Sequence, residues 1–481
     1  MIGNEKILRF GILFVFLLFN TIYSSAQEIE SKDQCFNCHS ILDGKLKTPA
    51  DLYKGDIHFR KGVACSACHG GISTEEDQDK SMSKSEGFIG VPGGLQVSKI
   101  CAKCHSKEFE TLSKSVHGQS STGQGLIINN CITCHGVHNI IPVKSPGSKV
   151  NGKNIVNTCA SCHNNAALMR NYNPGLKVDQ LEKYKTSVHG QKVFSGDSKP
   201  ANCASCHGNH DIQKVKDPSS KVYVTNIPST CNKCHGDANY MKEYKIPTDQ
   251  YEKYKHSVHG VALLEKGDLN APTCNKCHGD HGAAPPEVES VSKVCGTCHV
   301  LNSQMFQESP HKSAFDSKKY HECSVCHNNH DISSPTDEML GNGEKSVCVK
   351  CHQNDKGLRS AITMRKMIDS LINDVDVANY FINAAEQKGM DVSDVKFESN
   401  DIKKVLITSR TITHTSDIEK YINTINEGFK ITNKAKISGK EAVDEYYFRR
   451  LGLGVSTVFI TILCITLYLK LKKIEKKQQK T

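Results

Sequence analysis

Eleven times along this 481-residue chain, two cysteines stand three positions apart with a histidine directly after the second. The motifs are Cys35-Cys38-His39, Cys65-Cys68-His69, Cys101-Cys104-His105, Cys131-Cys134-His135, Cys159-Cys162-His163, Cys203-Cys206-His207, Cys231-Cys234-His235, Cys274-Cys277-His278, Cys295-Cys298-His299, Cys323-Cys326-His327 and Cys348-Cys351-His352. They use every cysteine except Cys464. Two thiols at this spacing can add to the vinyl groups of one haem, and the adjoining imidazole then reaches the iron as its proximal ligand. A zinc site or a redox dithiol would account for a single copy equally well. Neither accounts for a histidine in all eleven, because paired-cysteine zinc sites do not need one. The spacing therefore predicts eleven covalently bound haem c groups and no catalytic side chain.

Twelve of the 23 histidines lie outside these motifs. After the isolated motif at Cys35 the chain reads as five related units. Each opens with a large apolar residue five positions before a histidine: Tyr53/His58, Leu112/His117, Tyr184/His189, Tyr254/His259 and Phe306/His311. In the middle three units the phrase is Ser-Val-His-Gly, and two haem motifs follow each opening. In units two to five a further histidine follows the first motif: His138, His210, His281 and His330. The corresponding cysteines Cys131, Cys203, Cys274 and Cys323 recur at spacings of 72, 71 and 49 residues. Such a period predicts a linear array of modules that contact their neighbours.

Units two to five thus offer one spare histidine per motif as a distal iron ligand. Iron with two axial imidazoles has no open position and changes oxidation state without binding a substrate. The motifs at Cys35, Cys65 and Cys101 are less well supplied, with His58 the one evident extra. Where other units have a histidine, His69 is followed by Gly70-Gly71-Ile72. His256 and His321 read as bystanders. His414 is a distal candidate if the carboxy-terminal region folds back on the haems, and Met82 is a sulfur candidate. At least one amino-terminal haem is expected to take a ligand from another segment or to keep an open position.

Only 37% of residues are hydrophobic and there is no tryptophan, a thin supply for one large core. Covalent haems would provide the missing apolar mass, so the expected fold is mainly α and irregular: short helices and loops around stacked haems. The formal charge of +10 misleads. Residues 1–26 carry a net +1 and the tail after Leu469 a net +5, so the part between holds +4. Haem propionates would then make the loaded domain acidic, which excludes nucleic acid as a partner.

Five segments follow. Residues 1–26 resemble an export signal, with Lys6 and Arg9 around an apolar run from Phe10 to Phe19 and small residues at Ser24-Ser25-Ala26. Residues 27–355 hold the haem motifs. Residues 356–446 show helical periodicity (Ile362, Met367, Ile368, Leu371) and read as a helical hairpin or stalk. Residues 447–470 contain nineteen uncharged residues, Leu451 to Leu469, long enough to span a bilayer, behind the aromatic Tyr446, Tyr447 and Phe448. Residues 471–481 form a lysine-rich tail that should stay cytoplasmic. The expected topology is a single carboxy-terminal anchor in the cytoplasmic membrane with the haems on the periplasmic side.

The doubled motifs, and the phrase running from Ser187-Val188-His189-Gly190 to Cys203 and His210, resemble the multihaem c-type cytochromes. The likeness covers residues 35–352. The layout is also similar to membrane-anchored multihaem subunits that accompany quinol-oxidising cytochrome b complexes in anaerobic respiration. That resemblance implies electron transfer between the membrane quinone pool and periplasmic redox proteins, through a cytochrome b-type or iron–sulfur membrane subunit. The lysine-containing haem motif of nitrite-reducing pentahaem enzymes is absent. The alternative is a multihaem reductase or oxidase of a small nitrogen or sulfur compound, as in the hydroxylamine-oxidising and tetrathionate-reducing relatives, acting at an under-ligated amino-terminal haem.

Overall fold

A computed structural model describes residues 32–119, 130–286 and 291–478; the export segment expected at 1–26 lies outside the described residues. The chain forms two compact units, Met1–Tyr223 and Val224–Thr481. It is 63% helical, and no strand occurs among the described residues.

The haem-motif segments are built from helices of three to ten residues. A motif itself is one helical turn, as at Cys131–His135 and Cys203–His207. Such a turn needs help at both ends, since a single turn leaves most of its backbone groups unpaired. Asn130 and Asn202 cap the amino ends: the Asn202 side chain accepts from the Ala204 and Ser205 amides at 3.1 and 3.2 Å. The other end is closed by glycine at φ 71 (Gly70), 83 (Gly136), 89 (Gly208) and 84 (Gly279), each with extended ψ. That region is essentially reserved for glycine, which explains why Cys-His-Gly recurs. At Gly70 a Cβ would also stand 1.9 Å from the Gly87 carbonyl oxygen.

The Ser-Val-His-Gly phrase has its own geometry. Ser257 accepts the Gly260 amide at 3.0 Å and donates its hydroxyl to the Tyr254 carbonyl at 2.6 Å, starting the helix Val258–Leu264 on which His259 sits. Tyr254 anchors the turn by donating to the Pro272 carbonyl at 2.9 Å. Glycine follows the histidine because a Cβ at Gly260 would meet the Tyr254 carbonyl oxygen at 1.9 Å. Tyr184, Ser187 and Gly190 repeat these contacts, with a hypothetical Cβ at 1.8 Å.

In the second unit three long helices follow the motifs: Lys356–Gln387, Ser393–Ile412 and Ile418–Gln478. They pack through two apolar clusters, one around Ile368, Leu371, Tyr421 and Ile425, the other around Ala378, Ile382, Val392, Ile402 and Ala435. Tyr421 is fully buried and donates its hydroxyl to the Met364 carbonyl at 3.1 Å. Gly428 and Gly439 let the first and third helices approach closely: a Cβ at Gly428 would lie 2.8 Å from Leu371. The third helix then continues through Leu451–Leu469, where every side chain is exposed. Those nineteen residues rise about 28 Å, close to a bilayer's hydrocarbon thickness. An 18-residue stretch of this helix has a mean hydropathy of 2.1, and the helix is long and apolar enough to cross a membrane.

Candidate haem-binding array

Histidine rings come together in pairs. In the first unit His58 faces His105 at 6.2 Å between ring centres, His69 faces His138 at 5.9 Å, His117 faces His163 at 6.2 Å and His135 faces His210 at 6.1 Å. In the second, His259 faces His299 at 6.3 Å, His278 faces His330 at 6.0 Å, His311 faces His352 at 6.0 Å and His327 faces His414 at 6.1 Å. Each pair joins one motif histidine to one outside the motifs. Two metal–imidazole bonds of about 2.0 Å, with about 1.1 Å from each nitrogen to its ring centre, require about 6.2 Å between centres. The spacing fits one iron between the rings. Among the described residues no three His, Cys, Asp or Glu side chains converge as a closed metal site, and all 23 cysteines are free of disulfides. Both thiols of every motif are available for thioether bonds, so the donor set fits haem c.

The rings are oriented for this. His58 Nδ1 lies 2.8 Å from Asp56, His69 Nδ1 2.7 Å from the Gly90 carbonyl, His278 Nδ1 3.1 Å from the Ala284 carbonyl, and His352 Nδ1 2.6 Å from Asp355. An Nδ1–H donated to these acceptors leaves Nε2 as the ligating atom. Burial, and secondarily the facing ring, lowers the pKa of His117, His135, His138, His259, His311 and His330, keeping each imidazole in the neutral form a metal needs.

The pairs follow a rule. The opening histidine of a unit faces that unit's second motif, as His58 does His105 and His259 does His299. The histidine three residues past a first motif faces the first motif of the preceding unit: His138 turns to His69, His210 to His135 and His330 to His278. A backbone bond sets the register each time. Ile57, Val116 and Val258, each just before an opening histidine, donate to the carbonyls of Ile140, Ile212 and Ile332 at 2.7, 2.9 and 2.8 Å. Each acceptor stands two residues past the returning histidine. Asp56 reinforces the first clamp by accepting the Ile140 amide at 2.6 Å.

His414 comes from outside the repeats. It lies in the turn Thr413–Thr415 between the second and third long helices, and its ring faces His327. Two residues on, the Ser416 hydroxyl stands 2.9 Å from His311 Nδ1. This turn does for the last unit what the following unit does for the others.

The thiols order the motifs along the chain. In the first unit, Cys101 contacts Cys131 and Cys159 contacts Cys203 through the first cysteine of each motif. Between these contacts, the second cysteines Cys68 and Cys104, and Cys134 and Cys162, lie within electrostatic range. In the second unit Cys231 with Cys274 and Cys295 with Cys323 make the first kind of contact, and Cys277 with Cys298 and Cys326 with Cys351 the second. Within each unit, a motif meets its predecessor through one thiol and its successor through the other.

Three sequence expectations change. The motifs at Cys65 and Cys101 both have a facing histidine, His138 and His58, so they are not the under-supplied ones. Met82 is not required at either. Among the described residues no imidazole faces His39, whose Nδ1 lies 2.9 Å from the Leu46 carbonyl oxygen. His189 lies in the helix Val188–Phe194, His207 ends the helix Cys203–His207, His235 ends Ile227–His235, and His281 stands beside Asp280 in a loop. His256 and His321 are exposed.

Known proteins carry the same signature over parts of the chain. Residues 57–164 match the model of the family Cytochrome c3, and residues 20–70 and 294–376 match that of Cytochrome c554 and c-prime. The C-type polyheme cytochrome OmcC of Geobacter sulfurreducens is 28% identical over 109 residues, which is 21% of this chain and 14% of that relative's length. No solved structure matches the chain. The motif array, the facing histidines and these matches support a multihaem c-type cytochrome, and with it electron transfer.

Proposed function

We propose that the chain is a membrane-anchored electron conduit holding eleven haems, which exchanges electrons with the quinone pool through a cytochrome b-type or iron–sulfur partner and delivers them to periplasmic acceptors. Bound haem supplies one-electron chemistry at iron. The protein's part is to fix the ligands, exclude substrate from the irons and keep neighbouring haems close. The eight ring pairs carry this reading: at about 6 Å each leaves room for an iron and for nothing else. His58, His117, His138, His210, His259, His311, His330 and His414 are the distal ligands on this assignment, with His189 and His281 taking the same role by their place in the repeat. The thiol contacts support a continuous run of neighbours within each unit. The long apolar helix supports the anchor, and the lysines after Leu469 support a cytoplasmic tail.

A single membrane helix offers no quinone pocket of its own, so quinol oxidation belongs to a partner. The test uses native membranes and the purified full-length chain. A short-chain quinol should reduce the haems in membranes, while the purified chain should respond to dithionite and not to quinol. Quinol reduction of the purified chain, or none in native membranes, would refute the partner reading.

A further inference from the structure

The register rule identifies which residue should close the first iron. A first motif is faced by the residue three positions past the next first motif, as with His138, His210 and His330. For the isolated motif at Cys35 the next first motif ends at His69, and three residues on stands Ile72. The structure brings this segment to the expected place: the Gln34 amide, one residue before Cys35, donates to the Ser73 carbonyl at 2.7 Å. Asp33 makes a second link, accepting the Cys65 amide while capping the helix Gln34–Ile41 at Phe36. His39 is prepared as a proximal ligand in the same way as His69, with Nδ1 held by a carbonyl. The backbone register beside Cys35 is therefore in place, and the residue at the returning histidine's place in the repeat is Ile72.

We propose that the haem held by Cys35, Cys38 and His39 is the exogenous-ligand site of this protein, with Ile72 in place of a distal histidine. Isoleucine cannot ligate iron and offers no hydrogen bond to a bound anion. The site therefore takes small neutral diatomic ligands of ferrous haem in preference to charged ones. This rests on the reading of the motifs as haem sites and narrows the under-ligated amino-terminal haem to the one at Cys35.

Carbon monoxide is the probe, added to the dithionite-reduced full-length holoprotein. Wild type should bind one equivalent per chain. Ile72→His should bind none, with haem content unchanged and the high-spin component of the oxidised spectrum gone. No binding by wild type overturns the inference, as does unaltered binding by Ile72→His. Either failure leaves the conduit reading standing as long as the low-spin signal of the paired haems is present; loss of that signal would count against the conduit instead.

Discussion

Gly260→Ala tests whether the Ser-Val-His-Gly phrase exists to place an iron ligand. A Cβ built at Gly260 lies 1.9 Å from the Tyr254 carbonyl oxygen, 2.8 Å from its carbon and 3.0 Å from Lys255 Cα. Relief to an ordinary contact of about 3 Å means moving backbone by about 1 Å, at a cost typical of overpacking, about 1–3 kcal/mol. Tyr254 cannot easily give way, since its hydroxyl is fixed to Pro272 and its carbonyl accepts the Ser257 hydroxyl. The start of the helix Val258–Leu264 must therefore shift, taking His259 with it. Metal–ligand distances tolerate only about 0.2 Å. A displacement several times larger breaks the bond to the iron shared with His299, whose ring now stands at 6.3 Å. The expected result is a new high-spin component and one additional equivalent of carbon monoxide bound, two in place of one. Gly343→Ala is the control, because a Cβ there meets nothing within 4 Å. An unchanged low-spin spectrum and unchanged ligand stoichiometry in Gly260→Ala would refute the reasoning.

Three further outcomes follow from other contacts. His414→Ala should open the iron at Cys323, adding one equivalent of bound carbon monoxide without loss of haem, since the turn keeps its Ser416–His311 contact; unchanged stoichiometry would remove His414 from the ligand set. Asp56→Asn replaces the carboxylate that accepts from His58 Nδ1 at 2.8 Å with a weaker neutral acceptor. A tenfold loss of preference for the ferric state is about 59 mV for one electron, so spectroelectrochemistry should find one potential raised on the order of 60 mV, and a fall or no shift counts against the assignment. Deleting residues 447–481 should release a soluble chain with its haems still attached, read by fractionation and haem staining; a truncated chain still recovered with the membrane would refute the single anchor.

The motifs and most distal candidates were legible because each is a short phrase repeated at fixed offsets. Their pairing was not. Along the sequence nothing says which motif His138 goes with; in space its ring faces that of His69. The cause is the bond from Ile57 to the Ile140 carbonyl, a backbone contact across more than eighty residues that leaves no mark on residue type. For the same reason the shortage of histidines around the first three motifs did not say which of the three lacks a facing ring. Gly70-Gly71-Ile72 was visible as a departure, but not the backbone bond from Gln34 to the Ser73 carbonyl that joins this segment to the preceding motif. His414 had no surrounding phrase at all. The one signal for it was that the last unit lacked a successor to supply a ligand. The long helices were legible from apolar periodicity, and their packing explains Gly428 and Gly439, whose role no periodicity shows.

Where a returning histidine faces the preceding unit, as His138, His210 and His330 do, the end of the repeat series needs a separate solution. At the last unit the solution is the turn carrying His414, and the anchor helix begins four residues later at Ile418. Contacts between the haem segment and the long helices gather at this end: Asp337 with Arg410 at 2.7 Å, His311 with Ser416 at 2.9 Å, and Asn302 with His414 at 3.4 Å. The opposite end of the helical bundle lies by the aromatic belt, where Lys388 stands 5.2 and 5.1 Å over the rings of Tyr446 and Tyr447. From Ile418 to Tyr446 the helix rises about 42 Å. The bundle thus sets this length of helix between the turn carrying His414 and the apolar run that is long enough to cross a membrane.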